Sequence, residues 1–127
     1  DLPENHPLDG VSLWPQLVGE ENPERPDFFM CHFPHSHRSS HFTSMRKGDW
    51  KLIYRYQLTG GKRKSKTPLP RYELYNLKDD PYETTNLADK NPEKLSALLN
   101  AMTARLELEG AQFPVDGDGN ALRPELN

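Results

Sequence analysis

The segment CHFPHSHRSSH, Cys31 to His41, holds four of the five histidines of this chain together with Arg38. Imidazole nitrogen is a ligand for zinc, copper or nickel. Imidazole and guanidinium side by side also suit a bound oxyanion or a sugar hydroxyl, since both donate hydrogen bonds and both can carry positive charge. A third reading is a polar loop whose histidines bond locally. Spacing weighs against the metal. His32, His35, His37 and His41 follow H-x2-H-x-H-x3-H, which is no common structural zinc pattern, and Pro34 breaks any strand that would set all four on one face. Ser36, Ser39 and Ser40 lie beside histidines, but no G-x-S-x-G turn surrounds them, and nothing orients Asp27 or Asp49 toward them. An autonomous Ser-His hydrolase is therefore not indicated.

Other stretches carry weaker signals. TGGKRKS lacks the spacing of a phosphate-binding loop. DGDGN, residues 116–120, resembles the start of a calcium loop, without the later glutamate or the flanking helices of an EF-hand. Cys31 is the only cysteine, which excludes an internal disulfide and a CxxC knuckle.

The elements that would position the histidine segment are legible. DFFMCHF reads as a strand ended by Pro34, and its apolar character on both faces predicts a central place in a sheet. HFTSMRKGDWKLIYRY reads as two strands around a tight turn at Lys47-Gly48-Asp49, where Gly48 supplies a positive φ. In the second of these, Trp50, Leu52, Tyr54 and Tyr56 share one face, and Lys51, Ile53 and Arg55 the other. RYELYNL is a fourth strand, closed by the turn KDDPYE. Asn91 then serves as a helix N-cap before Pro92, and Leu95, Leu98, Leu99, Met102 and Leu106 recur on one helical face up to Gly110. Upstream, VSLWPQLVG is spaced for one or two helical turns between Ser12 and Gly19. The fold class is α+β: a small four-stranded antiparallel sheet packed against one amphipathic C-terminal helix. Residues 1–26 form a linking segment, 27–110 the sheet-and-helix unit and 111–127 an irregular tail.

Bulk composition bounds the partners. At 127 residues the chain fits one domain with a modest core. Its mean hydropathy of -0.90 and 12 prolines describe a loop-rich domain or a piece of something larger. The net charge of -3 gives no global field for nucleic acid. The charge is uneven: residues 1–27 hold seven acidic groups against Arg25, whereas KRKSKTPLPR, 62–71, holds five basic groups and no acid. That basic stretch could attract a polyanionic glycan, although a solvated loop explains it as well. No apolar run approaches the roughly 20 residues that span a bilayer.

Three segments in order resemble the C-terminal region of type I, formylglycine-dependent sulfatases. LDGVSLWPQLVGE resembles the D-G-x-S-L-x-P-x-L-x-G segment through Asp9, Gly10, Ser12, Leu13, Pro15, Leu17 and Gly19. SMRKGDWKLI looks like the R-x-G-x-(W/Y)-K-L hairpin through Arg46, Gly48, Trp50, Lys51 and Leu52. YELYNLKDDPYETTNLA is similar to E-L-Y-(D/N)-L-x-x-D-P-x-E-x-x-N-L-A through Glu73, Leu74, Tyr75, Asn76, Leu77, Asp80, Pro81, Glu83, Asn86, Leu87 and Ala88. The resemblance implies a four-stranded sheet with a packed helix, docked on a large α/β domain of the alkaline-phosphatase type. It implies hydrolysis of a sulfate ester, an aryl sulfate or a sulfated saccharide, by the whole enzyme in a periplasmic or secreted setting.

The resemblance also implies what this chain lacks. The nucleophile comes from C/S-x-P-x-R, which neither Cys31 nor any serine matches. Calcium and formylglycine are expected in the catalytic domain, no cofactor is expected in this chain, and the chain alone is expected to be inactive. Its part would be the substrate-side rim of the active site, with His32 and His35 the first candidates for substrate contact and His37 and Arg38 the second. Arg46, Gly48, Trp50, Tyr72 and Tyr75 read as structural. The competing readings are an independent histidine-rich metal-binding module and a carbohydrate-binding module.

Overall fold

The computed structural model describes residues 10–35, 41–56 and 69–126. Four antiparallel strands stand in sequence order: β1 (Phe28–Phe33), β2 (Phe42–Lys47), β3 (Trp50–Arg55) and β4 (Tyr72–Asn76). A one-turn helix α1 (Trp14–Leu17) precedes them, and the long helix α2 (Pro92–Leu108) follows. The α+β arrangement expected from the sequence is the one found. β1 lies at an edge of the sheet, however, and not at its centre. Apolar residues on both faces do not by themselves make a strand central: no residue of β1 is fully buried, and Phe29 is 71% exposed.

Register follows from side-chain alternation. Met30 faces Met45, and Met45 faces Leu52, which faces Leu74. This row meets α2, whose Leu95, Leu98, Leu99, Met102 and Leu106 are all buried. Met102 and Leu106 are 0% exposed, as are Leu52 and Leu74. The β2–β3 turn has Gly48 at φ 57, in the left-handed region expected of it. Arg46 closes the turn by donating from Nε to the Gly48 carbonyl at 3.1 Å.

The start of α2 differs in detail. Asn91 precedes Pro92 as expected, but its side chain makes no capping bond and instead donates Nδ2–H to the Leu87 carbonyl at 3.3 Å. Proline at the first turn has no N–H to satisfy, which lowers the demand for a cap. At α1, Ser12 Oγ accepts from the Trp14 N–H at 3.2 Å, and Gly19 ends the turn at φ 81.

The segment after α2 is irregular in backbone yet anchored throughout. Tyr54 donates to the Arg123 carbonyl at 3.2 Å, Tyr72 to the Glu125 carbonyl at 2.7 Å, and Thr103 to the Pro124 carbonyl at 3.0 Å. Arg123 lies over the Phe113 ring at 4.9 Å. Leu122 N–H closes the segment on the Pro114 carbonyl at 2.8 Å.

Candidate functional site

The histidines diverge at the end of β1. Strand alternation turns His32 to the α2 side, opposite Thr43, which is 0% exposed. Both ring nitrogens of His32 have partners: Nδ1 meets Thr43 Oγ1 at 2.7 Å and Nε2 meets the Gln112 carbonyl at 2.8 Å. Thr43 Oγ1 in turn meets the Tyr56 hydroxyl at 2.8 Å. The rings of Tyr56 and Phe113 pack edge-on to His32, each 6.0 Å away.

His35, beyond Pro34, is exposed and packs on the Phe33 ring at 4.4 Å with a 38° tilt. Phe33 stacks in turn on Phe42 at 5.8 Å. The backbone carbonyl of His41 accepts from Tyr56 N–H at 3.0 Å. The enclosed Nδ1 of His41 has no hydrogen-bond partner among the described residues. His37, Arg38 and the basic residues 62–66 lie outside the described residues.

Of the four rim candidates, therefore, two are described, and they differ in kind. His32 is half-buried with both ring nitrogens bonded, while His35 offers an accessible imidazole at the end of an aromatic stack. Sequence reasoning grouped them by proximity along the chain. The partner that separates them, Gln112, is 80 residues away, and no local pattern signals it.

Among the described residues, no set of side chains assembles a metal or formylglycine centre. Among the described residues no three His, Cys, Asp or Glu side chains converge to hold a metal ion. Cys31 sits within β1, followed by His32-Phe33-Pro34, and so lacks the C-x-P-x-R surroundings. Within the DGDGN turn, Asp116 spends its oxygens on the amides of Asp118 and Asn120 and on the Asn120 side chain. These bonds hold its carboxyl below the usual range.

Four motif residues of the second and third segments, Lys51, Glu73, Tyr75 and Glu83, form a clasp on the sheet face away from α2, while Trp50, Leu52, Leu74 and Ala88 belong to the core side. Lys51 donates to both carboxylate oxygens of Glu83 at 2.7 Å. Arg55 pairs with Glu73 at 2.5 Å, and Tyr75 donates to the other Glu73 oxygen at 2.7 Å. Burial first, and then the Glu73 carboxylate, raise the Tyr75 hydroxyl well above its ordinary range. Asp80 accepts from the N–H groups of Thr84 and Thr85, which lowers its carboxyl. Asn86 accepts from Leu74 and Ala88 N–H at 3.0 Å each and donates to the Tyr72 carbonyl at 2.9 Å. Residues 77–88 are thereby tied to β4 and to the Lys51 row of β3. Phe29, on the same face at β1, is 71% exposed.

No protein-family model matches the chain, and no curated protein does. Solved structures do match its fold. One is BT1596, a 2-O GAG sulfatase, at TM-score 0.55 and 20% identity, covering 100% of this chain and 27% of that one. Another is BT4656, solved in complex with its substrate D-glucosamine-2-N,6-O-disulfate, at TM-score 0.50 and 22% identity, covering 84% of this chain and 21% of that one. The chain thus has the fold of a part of a sulfatase, about a quarter of the length of the proteins it matches.

Proposed function

We propose that this chain is the C-terminal, non-catalytic part of a formylglycine-dependent sulfatase, and that it completes the fold and the substrate-side rim of an active site built in the remainder. The observation that carries this reading is the match of fold along the full chain to about a quarter of BT1596. The hairpin and turn motifs support it, since Lys51 of the one and Glu83 of the other are paired across the sheet face. The substrate class is a sulfated saccharide, in keeping with the disulfated glucosamine that BT4656 binds. The partner of the chain is the α/β domain of the same polypeptide, which would supply calcium and formylglycine. The setting is periplasmic or secreted, and no described helix is long and apolar enough to cross a membrane.

Within the chain His35 contacts the sugar, with His37 and Arg38 beside it in sequence. The ring can donate or accept at a hydroxyl and can donate to a sulfate oxygen. The test is His35→Ala in the longer polypeptide. The KM for a sulfated saccharide is expected to rise about tenfold, the effect of losing one hydrogen bond to a charged group. The melting temperature should not move, because His35 is exposed. An unchanged KM would return His35 to a bracing role.

A further inference from the structure

His32 stands three residues before His35 and joins three segments. One proton arrangement satisfies every group in its chain of bonds. The Gln112 carbonyl can only accept, so Nε2 carries the ring proton and donates to it. Nδ1 is then free to accept from the Thr43 hydroxyl, and Thr43 Oγ1 accepts from the Tyr56 hydroxyl. The opposite order at Thr43 leaves the buried Tyr56 O–H without an acceptor among the described residues.

We propose that His32 is a positioning residue, which pins the end of β1, and with it the turn carrying His35, against the C-terminal segment 111–126. This rests on the reading of His35 as a rim residue. The Gln112 side of the pin is a firm abutment. Phe113 packs on the His32 ring and is covered by Arg123, whose backbone carbonyl takes the Tyr54 hydroxyl. Tyr72 and Thr103 hold the far end. The Thr43 side lies within the β2 strand itself. Edge contacts from Tyr56 and Phe113 keep the ring from turning. The site asks for a donor and an acceptor on opposite sides of one planar group. Histidine supplies both; glutamine supplies both with poorer reach; leucine fills the space and supplies neither.

Three measurements test the pin, two of them without activity. In the 127-residue chain, nitrogen-15 spectra of the His32 ring are expected to show the proton on Nε2. A ring protonated at Nδ1, or exchanging freely between tautomers, would overturn the proposal. Amide exchange at Leu122, whose N–H bonds the Pro114 carbonyl, is expected to speed up about tenfold in His32→Leu and much less in His32→Gln. Thr43→Val, which keeps the volume and removes the donor to Nδ1, should reproduce part of the loss if His32→Leu does not fold. Equal exchange in all variants would sink the idea.

In the longer polypeptide, His32→Leu should raise the KM for sulfated saccharide with little change in kcat, and His32→Gln should restore most of it. A wild-type KM in His32→Leu, with His35→Ala impaired, would remove the pin and keep the rim. A wild-type KM in both would remove the rim, and with it the functional part of the pin; the ring spectrum and Leu122 exchange would then decide only the anchoring of the tail.

Discussion

Asn86 shows how much one side chain of this chain can hold. Its amide ties the Leu74 and Ala88 N–H groups and the Tyr72 carbonyl, so that the turn after β4 closes back on the strand. Asn86→Ala leaves the Leu74 N–H within a buried strand position without its acceptor and is expected to cost about 2 kcal/mol, read as a lower denaturant midpoint at constant slope. Tyr56 makes a second prediction, in pH. Burial pushes its hydroxyl from 10.0 up to about 12. Below pH 10 the folded and unfolded chains both keep the proton; from 10 to about 12 the unfolded chain loses it first. Stability should therefore fall as pH rises through that window, and Tyr56→Phe should flatten part of the fall, Tyr54 and Tyr75 being shifted the same way. At this scale the sequence named the letters but not their work. Asp80, Glu83 and Asn86 stood out as a pattern, and Trp50 and Tyr72 were read as structural. That Glu83 meets Lys51 from 32 residues away, at a backbone φ of 57, could not be read from either residue. His32 sits among candidate ligands along the chain, and its partners in space, Thr43 and Gln112, are not signalled by those neighbours.

The elements were more legible, because strand and helix periodicities are local. Alternation assigned the two faces of β3 correctly, and the 3.6-residue spacing of α2 picked out the five residues that are buried. The place of β1 in the sheet is not legible from its apolar composition, because that composition does not translate into burial: no β1 residue is fully buried and Phe29 is 71% exposed. The Gly48 turn was legible for a physical reason, the positive φ, and it gives a clean test. A Cβ at Gly48 would meet nothing within 4 Å, so Gly48→Ala introduces backbone strain without a clash. The expected cost is about 1 kcal/mol, a melting temperature a few degrees lower, with the sheet intact. A neutral substitution would show that the β2–β3 turn is held by its strands and by Arg46 alone.

At the scale of the whole molecule, two faces of one sheet are treated differently. The side toward α2 is closed by leucine and methionine from helix and strands. On the other side the clasp of residues 77–88 protects Tyr75 at β4, while Phe29 at β1 and Leu13, Trp14 and Leu17 before it remain exposed. Exposed apolar side chains of this kind are in keeping with the proposal that the chain is one part of a larger fold. The measurement that tests this most directly is a sulfatase assay on two samples, the 127-residue chain and the longer polypeptide matured with formylglycine, against an aryl sulfate and a panel of sulfated saccharides. Hydrolysis by the longer polypeptide alone is the expected result. Hydrolysis by the 127-residue chain would contradict the account, and would place a reactive centre among the histidines between Cys31 and His41.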